Sequence, residues 1–418
     1  MHASEPRRIL ILYADYGSGH RSAARAILTA LEQMYVERVA ALVVNPLNED
    51  SAPIFLKLDQ KEYDQRVTKS PELYKLACEI GDMGVTTNLV ESAMIVLMHD
   101  TLRKIIAREK PDAIVNTYPH FLAPLSSNYT LASTRIPTIT VVTDFTSVNQ
   151  LWFNPVADLT IVPTQAARGI GIAQGLPPHS LLIYGIPVHP AIANERRSKT
   201  EIRRALGWRD DRVTLLAVGG TRVRNLPEVL HVLNHSGLPL QLALVAGGDE
   251  RLYHTFRSVE WHLPAQIYNR VENIPAMLHA ADLVMCKAGG LVTSEALAAG
   301  RPLLYIDLIQ GQETGNVEYV TGQGAAELAA NPVQALEILC HWLDGDGARL
   351  IERAAAAQRL GRPRAAFDIA EQAFTAAARG ARPMDKKLID FPRLTDLLDR
   401  FKVPRMVHFA DAPGFEEA

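Results

Sequence analysis

A chain of 418 residues, 48% hydrophobic and 21% charged, has ordinary globular composition and room for two α/β domains. Its 43 basic and 46 acidic residues leave a net charge of −3, which supplies no whole-chain field for nucleic acid. Cys78, Cys286 and Cys340 are too widely spaced for a disulfide framework or a Cys-x-x-Cys metal site, and no stretch approaches the roughly 18 apolar residues of a spanning helix.

In chain order, residues 9–13 read as a buried strand; Asp15 ends the apolar run too early for a leader peptide. A helix over 19–34 follows, with Ala23, Ala24, Ile27, Leu28 and Leu31 on its inner face, and then a strand over 39–44. Residues 46–110 break this rhythm and read as a helical insertion with apolar stretches at 54–58 and 93–98. Strands are expected at 113–115, 138–142, 159–162 and 181–184, a proline-containing connector at 187–198, and a short helix at 199–206. The pattern then restarts, with strands at 213–218, 241–245, 266–268, 283–286 and 302–306 and a helix at 333–343. Strand–helix alternation of this kind implies two Rossmann-like, doubly wound parallel sheets facing across a cleft. The expected division is 1–190, 191–380 and a less regular tail, 381–418.

The first strand runs into Gly17-Ser18-Gly19-His20 and directly into a helix. Gly17 and Gly19 let backbone approach a ligand there, and a helix N-terminus favours negative charge. Ser22 occupies the place of the third glycine of a dinucleotide fingerprint, and the second strand ends in Val44-Asn45 without an acid, which argues against NAD or FAD. His20 is either a general base for a hydroxyl nucleophile or a helix-terminal histidine bonded to backbone. Asp144, after the 138–142 strand, either orients His20, binds an acceptor hydroxyl, or caps its own loop. Asn149 and Trp152 follow; Trp152 faces an acceptor or the core.

The second half carries its candidate site in Lys287-Ala288-Gly289-Gly290-Leu291-Val292-Thr293-Ser294-Glu295, where a strand gives way to a helix at about Leu291. Two glycines leave the first amides bare, which suits a diphosphate. Glu295 lies a turn further on, suited to the neutral diol of a ribose or simply to the helix dipole. Gly219-Gly220-Thr221-Arg222, with Arg224, forms a second strand-end loop whose arginines pair with phosphate or are solvated. A third loop contains Gln312, Glu313 and Asn316, offering either sugar contacts or a helix cap.

The runs GSGHRSAARAI, VVTDF…LWF, YGIPVHPAI, IPAMLHAADLVMCKAGGLVTSEALAAGRPLLYI and GQETGNVEY resemble the monogalactosyldiacylglycerol synthases and processive diacylglycerol glucosyltransferases, related to MurG-type transferases. The resemblance spans roughly residues 8–330 and departs from the family pattern at Asn149, Thr221-Arg222 and Gln310. It implies a GT-B fold and inverting transfer of a hexose, galactose or glucose, from a UDP-sugar to a lipid hydroxyl such as that of 1,2-diacylglycerol. It further implies His20 as base or acceptor-site histidine, Gly289, Gly290, Thr293 and Glu295 at phosphate and ribose, and Gln312, Glu313 and Asn316 at the sugar. No cofactor is demanded, with a divalent ion left open, and no metal site is assigned. The apolar pieces of the 46–110 insertion, flanked by Lys57, Lys61, Arg103, Lys104 and Arg108, either pack on the first domain or make peripheral contact with an anionic membrane. The expected setting is cytoplasmic, either free or peripheral on the inner face of the plasma membrane. Two other functions fit the same architecture: a UDP-sugar epimerase or hydrolase, and a non-catalytic nucleotide-sugar-binding regulator.

Overall fold

The computed structural model describes residues 5–17, 19–58, 60, 84–132 and 134–383, the backbone alone over 84–90. The expected tail beyond 383, Cys78 and Lys61 lie outside the described residues. Two six-stranded sheets dominate the molecule. The first is ordered β2-β1-β3-β5-β6-β7, from β1 (Arg7–Leu12), β2 (Val39–Val44), β3 (Ala113–Asn116), β5 (Thr138–Val141), β6 (Leu159–Val162) and β7 (Leu181–Ile183). The two-residue β4 (Thr134–Arg135) lies outside it and pairs antiparallel with β14 (Arg382–Pro383). The second sheet is ordered β10-β9-β8-β11-β12-β13, from β8 (Val213–Val218), β9 (Leu240–Val245), β10 (Ala265–Tyr268), β11 (Leu283–Lys287), β12 (Leu303–Asp307) and β13 (Ala326–Leu328). Every pairing within the two large sheets is parallel.

Central strands such as AIVN of β3 and LQLALV of β9 are buried at every position, because helices cover both faces of a parallel sheet. The Gly19–Met34 helix packs Ala23, Ala24, Ile27 and Leu31 inward at helical spacing, as the sequence predicts. The Gly84–Glu109 helix covers the opposite face with Met94, Met98, Leu102 and Ile105. One face of the described insertion is thus core packing, while Ile54, Phe55 and Leu58 are more than half exposed.

The expected boundary at 380 is corrected by the chain's return to the first sheet. The Ala365–Arg379 helix lays Ala366, Ile369, Ala370 and Ala373 into the same core as Ile9, Ile11, Ala24 and Ile27. Small residues on both helices let them approach closely, and Phe374 stacks on Tyr35 with ring centroids 3.9 Å apart. Where the chain crosses back, a Cβ on Gly361 would lie 2.2 Å from the Leu297 carbonyl oxygen, so only glycine fits. The outbound connector touches this crossing at Gly185, whose φ is +94° and whose added Cβ would meet Arg362 at 2.6 Å.

Candidate active site

The carboxyl ends of the two sheets enclose one cleft of about 390 Å³, a size suited to a small-molecule ligand. Its first wall is the turn after β1. Gly17 adopts φ +79°, and the helix begins at Gly19, placing His20 in its first turn. Thr143 Oγ1 lies 3.2 Å from His20 Nδ1, while Thr117 Oγ1 donates to the His20 carbonyl at 3.1 Å. The Tyr118 ring meets the imidazole edge-on at 5.2 Å, and the Trp152 ring lies 6.1 Å away. Burial among these groups pulls the imidazole down to about 4, so it is neutral at physiological pH. A hydrogen bond to the Thr117 backbone opposes this shift, and the neutral ring keeps one unprotonated nitrogen.

Asp144 lines the cleft beside His20, but it is Thr143 that bonds the imidazole. Burial lifts the Asp144 carboxyl to about 7; the negative charge of Glu313 adds to this, and a hydrogen bond from Trp152 opposes it. The expectation that Asp144 orients His20 is therefore corrected: the loop carries one residue for each task. Trp152 is 1% exposed and belongs to the core, with its indole turned to Asp144. Asn149 caps the short turn before Trp152, accepting from the Leu151 amide at 2.8 Å. Neither Asn149 nor Trp152 is among the cleft-lining residues.

The opposite wall is made of glycine loops at strand ends. After β8, Gly219 and Gly220 line the cleft, with Gly220 at φ +147°. After β9, Gly247 fits because it lacks a side chain: an added Cβ would sit 2.7 Å from the Gly219 carbonyl oxygen. Gly247 and Gly248 were not singled out from the sequence, although glycines after a predicted strand were the same signal that marked Gly219 and Gly220. Thr221 and Arg222 complete this loop. The Arg222 guanidinium reaches across the cleft, within 3.2–3.3 Å of where a Gly17 Cβ would be. Arg224 does not line the cleft; its backbone amide donates to Asp307 at 2.6 Å.

After β11, Gly289 caps the Gly290–Ala298 helix with no side-chain bond, leaving its first amides bare. Leu291, Val292 and Glu295 face the cleft, and Thr293, Ser294, Ala296 and Leu297 are buried. Thr293 is completely buried with its hydroxyl 3.0 Å from that of Tyr305, which corrects the expectation that it holds phosphate. Helical periodicity turned it away. Glu295 presents its carboxyl to the cleft, and burial alone lifts it to about 7.

The last loop divides in the same way. Gln312 lines the cleft. Glu313 also lines it, but one of its oxygens is paired with Lys287 Nζ and the other accepts from the Ile309 amide at 2.7 Å. Asn316 is 1% exposed and fully engaged elsewhere: it donates to the Ala288 carbonyl at 3.0 Å and accepts from the Phe145 amide at 3.2 Å. Its expected sugar contact gives way to a bond between the two domains. Gly290 serves that junction too, since a Cβ there would lie 2.6 Å from the Thr143 carbonyl oxygen. Among the described residues no group of three or more His, Cys, Asp or Glu side chains is arranged to hold a metal.

Comparison with known proteins agrees with this geometry. A sequence model of the monogalactosyldiacylglycerol (MGDG) synthase family matches residues 20–188. A probable chloroplastic monogalactosyldiacylglycerol synthase of Nicotiana tabacum is 27% identical over 382 residues, 88% of this chain and 70% of that protein. Chloroplastic monogalactosyldiacylglycerol synthase 1 of Arabidopsis thaliana is 26% identical, over 88% and 71% respectively. The crystal structure of Acinetobacter baumannii MurG has the same fold, with a TM-score of 0.55 at 16% identity, covering 88% of this chain and all of that one. The plant relatives overturn the expected cytoplasmic, plasma-membrane setting, because they are chloroplastic and point to a plastid.

Proposed function

We propose that this chain, a glycosyltransferase of the monogalactosyldiacylglycerol synthase family with the GT-B fold, moves a hexose from a UDP-sugar to the hydroxyl of 1,2-diacylglycerol with inversion. The observation that supports this most is the pairing of two unlike walls in one cleft: a neutral histidine on one side, and a bare helix N-terminus with Glu295 on the other. The diphosphate would lie against the amides of Gly290, Leu291 and Val292, with Arg222 as its counter-charge. Glu295 would accept from the ribose hydroxyls, whose donated hydrogen bonds stabilise its charged form and offset its burial. Gln312, which lines the cleft, would bond the sugar hydroxyls.

The acceptor oxygen attacks the anomeric carbon from the His20 side. The bond from that carbon to the β-phosphate oxygen breaks, and UDP leaves with the electron pair. His20 or the Asp144 carboxylate takes the hydroxyl proton; Thr143 holds the imidazole and Trp152 holds the carboxylate. Developing charge on UDP falls on amides and Arg222 already in place, so the reading assigns no cofactor. The exposed Ile54, Phe55 and Leu58, next to Lys57, are suited to an anionic lipid surface that would deliver the acceptor.

The deciding measurement is UDP release from UDP-galactose and from UDP-glucose, with and without vesicles containing diacylglycerol. Vesicle-dependent release is expected, and the donor that supports it names the hexose. Release without acceptor would make the protein a hydrolase, conversion of the donor without UDP release an epimerase, and binding with neither a regulator.

A further inference from the structure

A buried ion pair lies in the floor of the cleft, between Lys287 at the end of β11 and Glu313 just ahead of the Thr314–Gly322 helix. The second Glu313 oxygen is fixed by the Ile309 amide, so the carboxylate belongs rigidly to the second domain. Asp144, on the first domain, is held close to it by the segment that follows. Phe145 is buried in the core of the second domain, its amide bonds Asn316 Oδ1, and Thr146 Oγ1 donates to the Gly315 carbonyl at 2.8 Å. Gly315 permits this contact, since an added Cβ would lie 2.2 Å from Ser147 Oγ. Asp144 therefore sits on a loop of one domain that is clamped to the donor wall of the other.

We propose that the Lys287–Glu313 pair is a relay that ties the proton affinity of Asp144 to occupancy of the diphosphate subsite beside Gly290. This rests on the donor reading above. A diphosphate brings negative charge to a cleft wall that already contains Lys287, and it competes with Glu313 for the ammonium. As Lys287 turns towards phosphate, Glu313 loses its counter-charge. Repulsion between two carboxylates in a dry site then holds a proton on Asp144 more tightly. Charged and titratable groups face Asp144 from several elements: His20 on the first helix, Arg222 after β8, Lys287 on β11, Glu295 in the Gly290–Ala298 helix, and Glu313. Among these, Glu313 is the one whose charge registers on Asp144. The Asp144 carboxylate becomes the stronger base only when the donor is in place, and by reciprocity a protonated Asp144 favours donor binding.

Calorimetry of UDP-glucose and UDP-galactose binding tests this, at pH 7 in two buffers of different ionisation enthalpy. Neither donor has a phosphate group titrating near neutrality, so proton exchange reports the protein. Glu295 also lies near 7 and would give up its proton on contact with the ribose, so the Asp144 share is read as the difference between the unaltered protein and Asp144→Asn. With Asp144 near 7, a tenfold gain in its proton affinity makes that difference about 0.4 proton taken up per donor bound. Relative to Asp144→Asn, donor affinity of the unaltered protein is expected to fall between pH 6 and 8. Glu313→Gln and Asp144→Asn are each expected to bind donor and to lack that share of uptake. Equal proton exchange in the unaltered protein and Asp144→Asn overturns the relay, as does exchange in Glu313→Gln equal to that of the unaltered protein. If Glu313→Gln does not fold, the comparison with Asp144→Asn and its pH dependence decide. Failure of both donors to bind overturns the donor reading instead.

Discussion

His20 and Glu295 sit on opposite walls and carry opposite expectations. General-base removal typically costs about 10²–10⁴ in rate, so His20→Ala is expected to lose turnover on that scale while UDP affinity, read by titration, stays within about twofold. Glu295→Ala should do the reverse, weakening UDP binding about tenfold, roughly the value of a hydrogen bond to a charged group. Unchanged UDP affinity would remove Glu295 from the ribose. Asp144 has a stability signature of its own. Its folded value, about 7, lies above the ordinary 3.8 because burial favours the neutral acid. The folded state therefore holds the proton more tightly, and the stability this gives is full below 3.8 and lost as pH rises through about 7. Asp144→Asn removes that loss, so its melting temperature relative to the unaltered protein should climb between pH 4 and 7. His20 has the opposite sign: its depressed value gives stability above 6.5 that is lost as pH falls through about 4.

At the scale of elements, the Gly290–Ala298 helix does two jobs with two faces. Leu291, Val292 and Glu295 meet the cleft, while Thr293 is bonded to Tyr305 beneath. Thr293→Val should cost about 1 kcal/mol of stability through the lost hydroxyl contact and leave donor affinity unchanged. A large fall in affinity with unaltered stability would restore Thr293 to the phosphate site. The helix's first residue belongs to the domain junction as much as to the site, since Gly290 packs against the Thr143 carbonyl. Backbone approach of this kind explains a glycine pair that nucleotide binding alone would not require in full.

For the whole molecule, the Ala365–Arg379 helix is part of the first domain in space and of the second in sequence. It covers Ile9, Ile11 and Val115 together with the Gly19–Met34 helix. A chain ending at 364 should therefore lose first-domain stability, by more than about 3 kcal/mol given the several buried side chains removed, compared with one ending at 383. Thermal unfolding of the two chains checks this; equal melting would place the helix outside the first core.

Much of the architecture was legible because parallel strands buried on both faces are written as short apolar runs, and 159–162 and 213–218 needed nothing else. The glycine loops and His20 were legible too, since strand-end position follows from local sequence. The resemblance to the synthases was carried by contiguous runs such as IPAMLHAADLVMCKAGGLVTSEALAAGRPLLYI, which need no fold to be read. Tertiary structure decided what one-dimensional spacing could not. Helical phase turned Thr293 inward, and the interdomain junction claimed Asn316 and Gly290. Lys287 and Glu313, 26 positions apart, met as a pair because β11 and β12 are neighbours in the sheet. The apolar stripe of 365–379 announces a buried face but not which sheet buries it. That partner is set by a chain crossing at Gly361, where geometry rather than hydrophobicity makes the choice.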